Sequence, residues 1–287
     1  MAQAITSPGD IILSPNPSYP IHPYGFIIAG ASLRHLPAMD DGIFNPDLYL
    51  ERLERSIIES VPAPVAVIVS FPSNPTAQVV SLEFYEEVVK IALKYNVYIL
   101  SDLAYAEIYY DNTPPPSILQ IPKAKEVAVE FTSMSKTYAM AGWRIGFAVG
   151  NIRLINALTR IKSYLDYGAF TPVQVAAATA LNGPQDCVQE IRNTYQKRRD
   201  VLINSMARAG WNIPTPKASM FAWAPIPAKY KDKGSLEFAK ELMLKADVAV
   251  SPGVAFGEFG EGFVRVGLVE NEQRIRQAAK NIKKLLI

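Results

Sequence analysis

The sequence predicts an α/β protein with a mainly parallel sheet in a three-layer arrangement. Short apolar segments alternate with longer segments of helical periodicity along the first part of the chain. These apolar segments are continuous and do not alternate with polar residues, as expected for parallel strands covered by helices on both faces. Hydrophobic residues make up 49% of the 287 positions, which is enough for a large core.

Each predicted element has its own signal. Residues 65–70 and 97–101 are apolar and have the length of buried strands. Between them, Ser81 is a suitable N-cap for a helix with one apolar face, so strand, helix and strand form a right-handed crossover. An earlier helix begins after Asn45, a cap residue that is followed by proline. Further strands are predicted at residues 127–131 and 145–149.

The pattern changes after Gly183. A long polar helix leads to shorter strands near residues 220–224, 248–251 and 263–266. This change favours a second, smaller α+β domain. We therefore divide the chain into a large domain of residues 1–195 and a small domain of residues 196–287. The basic side chains of the long helix favour a solvated surface over a phosphate or nucleic-acid site; they are Arg192, Lys197, Arg198 and Arg199.

Composition and charge exclude several classes of function. The formal net charge of +2 gives no electrostatic case for nucleic-acid binding, so we expect a small-molecule substrate. Cys187 is the only cysteine, and with His22 and His35 it forms no metal-ligand pattern. The start of the chain has no signal-peptide pattern, and no apolar segment is long enough to span a bilayer. We expect a cytoplasmic protein with neither a metal site nor a membrane partner.

Polar side chains follow three of the predicted strands. Asn74 comes shortly after the first apolar segment, Asp102 ends the second, and Lys136 follows the third. Ligands bind beyond the carboxyl ends of parallel strands, so these side chains are candidates for one site. Each also has an ordinary explanation, because Asn-Pro is a common turn, aspartate is a common helix cap and lysine is usually a surface residue.

Lys136 is the most informative of these residues. It lies between apolar segments and is followed by small residues and Arg144. A lysine among apolar groups and near a second cation loses its charge more easily, as the amine of a Schiff base requires. Arg144 and Ser133 offer a guanidinium and a hydroxyl to a phosphate group. Together with the carboxylate of Asp102 and the amide of Asn74, they are the parts that pyridoxal 5′-phosphate (PLP) needs.

Five segments of the sequence resemble the class I and II aminotransferases, which have the type I fold of PLP-dependent transferases. The lysine segment, residues 133–147, is joined in the family's order by residues 15–20, 73–76, 102–105 and 263–266. The resemblance extends from near residue 1 to the C-terminus and looks closest to the branch of alanine and LL-diaminopimelate aminotransferases. It implies ping-pong transfer of an amino group between an L-amino acid and a 2-oxo acid through PLP and pyridoxamine phosphate.

The resemblance also implies roles around the cofactor ring. Lys136 would hold PLP as a Schiff base and move the proton between the substrate Cα and the cofactor. Asp102 would pair with the protonated ring nitrogen, and Tyr105 and Asn74 would hydrogen-bond the phenolic oxygen of the ring. Tyr19 would stack on the ring face.

Further roles concern the phosphate and the substrate. By the same resemblance, Ser133 and Arg144 would bind the phosphate, and Arg265 would bind the substrate α-carboxylate with both arms of its guanidinium, beside Asn74. Without the other motifs, we would interpret Arg265 as an arginine at a strand edge that forms an ordinary ion pair.

One part of the family pattern has no counterpart in this sequence. The family has an N-terminal portion with an arm, a phosphate-binding turn and a tyrosine donated across a homodimer. Residues 1–5 resemble the end of a helix. We therefore expect the chain to be the greater part of a longer family member that forms a homodimer.

Two alternative functions remain open at this stage. The same fold supports other PLP reactions, so a C–S β-lyase or a decarboxylase is an alternative. A second alternative is an inactive binding module, because the N-terminal portion would supply part of the site.

Overall fold

The computed structural model describes residues 1–40 and 42–286. Its strands are β1 (Ile11–Asn16), β2 (Ser32–Pro37), β3 (Met39–Asp40), β4 (Ile43–Phe44), β5 (Ala66–Ser70), β6 (Tyr98–Asp102), β7 (Ala128–Ser133), β8 (Gly146–Gly150), β9 (Phe221–Pro225), β10 (Ser251–Pro252) and β11 (Phe263–Gly267). Its helices are α1 (Ala2–Ile5), α2 (Ile21–Ile28), α3 (Pro46–Ile58), α4 (Leu82–Tyr95), α5 (Ala124–Val127), α6 (Met134–Thr137), α7 (Ile152–Leu165), α8 (Thr171–Asn182), α9 (Asp186–Arg208), α10 (Gly234–Ala246) and α11 (Glu272–Leu286).

A six-stranded sheet forms the centre of the first part of the chain, in the order β2-β1-β5-β6-β7-β8. The first four pairings in this order are parallel, and β8 runs antiparallel to β7. The prediction of a mainly parallel sheet is confirmed. Because β8 is reversed, its first residue, Gly146, lies opposite Ser133 at the end of β7. The segment before β8 therefore reaches the same sheet edge as the ends of β5, β6 and β7.

Helices cover both faces of this sheet. Alternate residues of β5, Val67 and Val69, belong to a core cluster with α3 and α4, whereas Ala66 and Ile68 pack with α2 and α7 on the other face. This division explains why the apolar segments are continuous, and it confirms the predicted three layers. The predicted helix caps also form, because Asn45 accepts a hydrogen bond from Leu48 N and Ser81 accepts one from Phe84 N.

A smaller three-stranded antiparallel sheet follows, in the order β10-β11-β9, and packs with α9, α10 and α11. The strand predicted at residues 248–251 is shorter than expected, since only Ser251 and Pro252 pair with β11. The amide of Val248 instead bonds to Leu242 O at the end of α10. The predicted division between residues 195 and 196 falls within α9 and stays a prediction.

The predicted solvated surface on α9 is wrong for Arg199, which is only 4% exposed. Its guanidinium donates to both carboxylate oxygens of Asp111, and Arg192 pairs with Glu107. A helix pattern alone does not reveal such pairing, because both acids lie more than 80 positions earlier in the chain. Among residues 1–40 and 42–286, none of the helices is long and apolar enough to cross a membrane.

Candidate active site

Strand order brings the predicted polar residues to one edge of the large sheet. Ser70 at the end of β5 lies opposite Asp102 at the end of β6, and Asp102 lies opposite Phe131 in β7. Asn74 follows β5 by four residues, and α6 with Lys136 follows β7 directly. The carboxyl ends of parallel strands are where open α/β sheets bind ligands.

Asp102 makes two contacts that fix its carboxylate. One oxygen, Oδ1, accepts a hydrogen bond from Ala104 N at 3.1 Å, but a turn and not a helix follows, so the helix-cap interpretation is wrong. The other, Oδ2, lies 2.8 Å from Nε2 of His22, whose side chain is only 7% exposed. The carboxylate is 30% exposed and thus keeps one side open. A carboxylate held in this way can face a protonated ring nitrogen.

His22 is a site residue that sequence reasoning missed. It lies in the first turn of α2, three residues after Tyr19, and its ring meets the Tyr19 ring edge to face with centroids 5.9 Å apart. Its contact with Asp102 joins positions 80 residues apart. The signal in the sequence was this short spacing, because His22 N donates to Tyr19 O in the turn that leads into α2.

Lys136 lies on α6 and is half-buried, with Nζ 6.0 Å from the centroid of the Tyr105 ring. Burial, followed by the positive charges of Arg144 and Arg265, lowers the pKa of Lys136 below its ordinary value. This direction agrees with the expectation from the sequence. A lysine with a lowered pKa is a better nucleophile and a better proton acceptor near neutral pH.

Ser133 ends β7, and Arg144 lies two residues before β8 at the same edge. The hydroxyl oxygen of Ser133 accepts a hydrogen bond from Ser135 N at 3.2 Å, which leaves its proton free to donate. Arg144 is exposed, has a left-handed backbone with φ of 52°, and donates to Ala141 O at 3.0 Å. The side chains of Ser133 and Arg144 do not bond each other within the described residues, so both keep donors for an anion.

Arg265 on β11 reaches this edge from the smaller sheet. Its Nη1 donates to Asn74 Oδ1 at 2.6 Å, and its Nη2 donates to Ser251 Oγ at 3.3 Å. The guanidinium lies against two aromatic rings, with Cζ 4.1 Å from the centroid of Phe221 and 4.6 Å from that of Phe256. None of the ion pairs among residues 1–40 and 42–286 includes Arg265. The interpretation as an ordinary ion pair is therefore wrong.

Two tyrosines complete the predicted set. Tyr105 is 7% exposed; burial and then the charge of Asp102 raise its pKa, while Arg265 and Asn74 oppose this change. The hydroxyl of Tyr105 is therefore a stable hydrogen-bond donor. Tyr19 is 44% exposed, so part of its side chain is accessible to a planar partner.

A cavity of 490 Å³ opens beside these strand ends. His22, Asp102 and Ser133 line it together with apolar side chains of α2 and the large sheet. Its size and mixed lining suit a small aromatic ligand with polar substituents. Cations without acidic partners, a fixed carboxylate and a lysine with a lowered pKa fit a phosphate-bearing aromatic aldehyde, and so the fold and the site define the class of PLP-dependent enzymes.

Comparison with known proteins gives the family. The family model for aminotransferase class I and II matches residues 1–282 of the sequence. The chain therefore belongs to this family. AatC of Rhizobium meliloti (strain 1021) is 58% identical over 100% of this chain and 69% of its own length. The glutamate-pyruvate aminotransferase AlaC of Escherichia coli (strain K12) is 56% identical over 96% of this chain and 66% of its own length.

More distant relatives support the same placement. The LL-diaminopimelate aminotransferase of Moorella thermoacetica is 40% identical, over 97% of this chain and 70% of its own length. Among solved structures, the aromatic aminotransferase from Pyrococcus horikoshii OT3 has a TM-score of 0.91 at 26% identity, covering 99% of this chain and 75% of that chain. The chain thus spans about 70% of the length of such relatives.

These findings confirm the predicted family and branch, the type I fold, the aminotransferase function and the cofactor PLP. The roles of individual residues are not tested by them and stay predictions.

Proposed function

We propose that this chain transfers an amino group between an L-amino acid and a 2-oxo acid at the edge where Lys136 and Arg265 meet. The main support for the proposal is the environment of the Arg265 guanidinium. Its guanidinium is part-buried, has only neutral partners among the described residues, and lies close enough to lower the pKa of Lys136. Retaining such a cation is unfavourable unless an anion binds it, and a substrate α-carboxylate is an anion of suitable shape.

Five residues would hold the aldehyde, phosphate and phenolic groups of the cofactor. Lys136 would attach PLP through Nζ, and Ser133 and Arg144 would donate to its phosphate. Tyr105 and Asn74 would donate to the phenolic oxygen, since the hydroxyl of Tyr105 stays protonated. When bound, PLP supplies an electron sink for the negative charge that develops at the substrate Cα.

Asp102 would hold a proton on the ring nitrogen, and Tyr19 would cover the ring face. The carboxylate is suited to this task because Ala104 N and His22 fix both of its oxygens. His22 acts through Asp102 and is a positioning residue. Its contact prevents the carboxylate from turning away from the cofactor side of the edge.

Lys136 would also move the proton during the reaction. As a free amine, its Nζ would have a lowered pKa. Such an amine would remove the proton from the substrate Cα and hold it at Nζ until it is returned. Arg265 meanwhile orients the substrate so that the bond between Cα and its proton stays within reach of Lys136. Two such half-reactions with different acids give ping-pong kinetics.

For the substrates, we propose L-alanine and L-glutamate with their 2-oxo acids. The support is the name of the relative AlaC, a glutamate-pyruvate aminotransferase, at 56% identity. We also propose a homodimer in the cytoplasm. A dimer is typical of the family, and a group of large apolar side chains is exposed for 63% to 92% of its surface; the group contains Tyr164, Leu165, Tyr167 and Phe170. A reducing compartment suits the single Cys187.

The test is a visible absorption spectrum of the purified chain with added PLP, followed by addition of L-alanine or L-glutamate. We expect a band of lysine-bound PLP that converts to the pyridoxamine form. Lys136→Ala should lose the band and slow the transfer by at least about a thousandfold. The control Lys125→Ala alters an exposed lysine on α5 and should behave like the parent. A parental chain that forms no band, or a Lys136→Ala variant with the parental rate, would refute the proposal.

A further inference from the structure

The guanidinium of Arg265 packs against a turn in the smaller part of the molecule. This turn, residues 253–260, consists of two short 3-10 segments, Gly253–Phe256 and Glu258–Gly260. It carries Phe256, whose ring lies against the Arg265 guanidinium. A displacement of the turn would therefore change the packing of the arginine.

The turn is attached to the end of β1 by two hydrogen bonds. Ser18 N donates to Phe256 O at 2.9 Å, and Phe259 N donates to Asn16 Oδ1 at 3.4 Å. Asn16 is only 4% exposed although its side chain is polar. The same β1 segment continues to Tyr19 and thus connects the turn with the proposed cofactor side.

The packing between Asn16 and the turn is very close. Gly257 has a φ of +124°, and a Cβ atom at this position would overlap the amide group of Asn16. A glycine is therefore required for two reasons, its backbone conformation and the space that the asparagine fills. The two residues fit each other and fix the distance between β1 and the turn.

We propose that Asn16 is a positioning residue for substrate binding, holding the turn 253–260 against β1 so that Arg265 faces the site. This inference rests on the proposed role of Arg265. Asn16 does not touch Arg265; it acts through the turn and the ring of Phe256. Loss of its side chain leaves Phe259 N without its partner and leaves space into which the turn can move.

The experiment compares Asn16→Ala and Gly257→Ala with the control Asn151→Ala. Asn151 is a similarly buried asparagine, 6% exposed, that bonds to Lys125 O and Glu126 O beyond the opposite end of β8. We measure amide hydrogen exchange of residues 253–260 in the chain without added ligand. We then measure the half-reaction with L-alanine or L-glutamate after loading with PLP.

Asn16→Ala should accelerate exchange within residues 253–260 and raise the half-saturating amino-acid concentration about tenfold, with a much smaller change in the maximal rate. Gly257→Ala should act in the same direction by pushing the turn away. The double variant should be less impaired than the sum of the two, because removal of the asparagine amide makes room for the new Cβ. Asn151→Ala should change neither quantity, and PLP binding should stay parental in all variants.

Each contrary result has a distinct meaning. Unchanged exchange in Asn16→Ala would show that the asparagine does not hold the turn. Faster exchange with an unchanged half-saturating concentration would show that the turn does not position Arg265. A parental chain that binds PLP but converts no amino acid would refute the proposed function, while the exchange measurement would still decide whether Asn16 holds the turn.

Discussion

Cationic side chains cluster in two regions of the molecule. The two regions differ in whether acidic side chains pair with these cations. In the first region, which we name the α9 anchor, Arg192 and Arg199 of α9 pair with Glu107 and Asp111. Arg192 Nη2 lies 2.7 Å from Glu107 Oε2, and Arg199 Nη1 lies 2.6 Å from Asp111 Oδ2. The hydrogen bond with Asp111 raises the pKa of Arg199 above its ordinary value. These ion pairs join α9 to the segment that follows Tyr105.

The second region is the candidate active site, where Lys136, Arg144 and Arg265 take part in none of the ion pairs of the described residues. Burial lowers the pKa of Arg265, and burial with neighbouring cations lowers that of Lys136. The difference teaches that charge alone does not mark a site. Paired cations connect elements of the fold, whereas we propose that the cations without acidic partners bind an anionic ligand.

The largest expected effect is on the reaction rate, and it distinguishes Asp102 of the candidate active site from Asp111 of the α9 anchor. Asp102→Ala should slow the half-reaction by about a thousandfold, because the ring nitrogen would no longer be kept protonated. Asp111→Ala should leave the rate near the parental value and lower the free energy of unfolding by about 1–2 kcal/mol, since Arg199 would lose a main partner. Single-turnover rates and urea denaturation measure the two effects. Similar rate losses in both variants would remove the distinction between the regions.

A second comparison replaces one arginine of each region by lysine. Arg265→Lys keeps the charge but loses the second donor arm, so the half-saturating amino-acid concentration should rise roughly a hundredfold. Arg199→Lys should leave that concentration unchanged and lower the melting temperature, because a lysine cannot bond both oxygens of Asp111. If Arg265→Lys binds amino acids with parental affinity, Arg265 does not bind the carboxylate.

The smallest expected effect concerns pH. Lys136 has a pKa below its ordinary value of 10.5, so its neutral, reactive form is present at lower pH than in a free lysine. Arg144→Gln removes a positive charge that disfavours the ammonium form, and the pKa of Lys136 should rise. The rate of Lys136 modification by pyridoxal, which carries no phosphate, should then reach its midpoint at higher pH than in the parent. Mass spectrometry after borohydride reduction measures this rate, and a downward shift would contradict the assigned cause.

The linked stability effect has a definite sign. Because the folded-state pKa of Lys136 is lowered, folding favours the neutral amine. The lysine therefore opposes folding most strongly below its folded-state pKa, and this cost disappears as the pH rises towards the value of the unfolded chain. The paired Arg199 behaves in the opposite sense, since its raised pKa favours the charged form in the folded state.

Several features of this protein were determined by the sequence alone. The caps at Asn45 and Ser81 depend on neighbouring backbone amides, and the buried strands depend on local runs of apolar residues. The convergence of Asn74, Asp102 and Lys136 follows from strands that end at the same edge. Local chemistry and the rules for parallel sheets suffice for these features.

Only the tertiary structure decided the contacts that distinguish the two regions. Asp102 bonds a histidine 80 positions away, and Arg265 bonds Asn74 across 191 positions. Arg199 loses its expected solvation because Asp111 lies against α9. A single sequence records each side chain but not its distant partner, and the partner decides whether a charge is neutralised by the fold or left for a ligand.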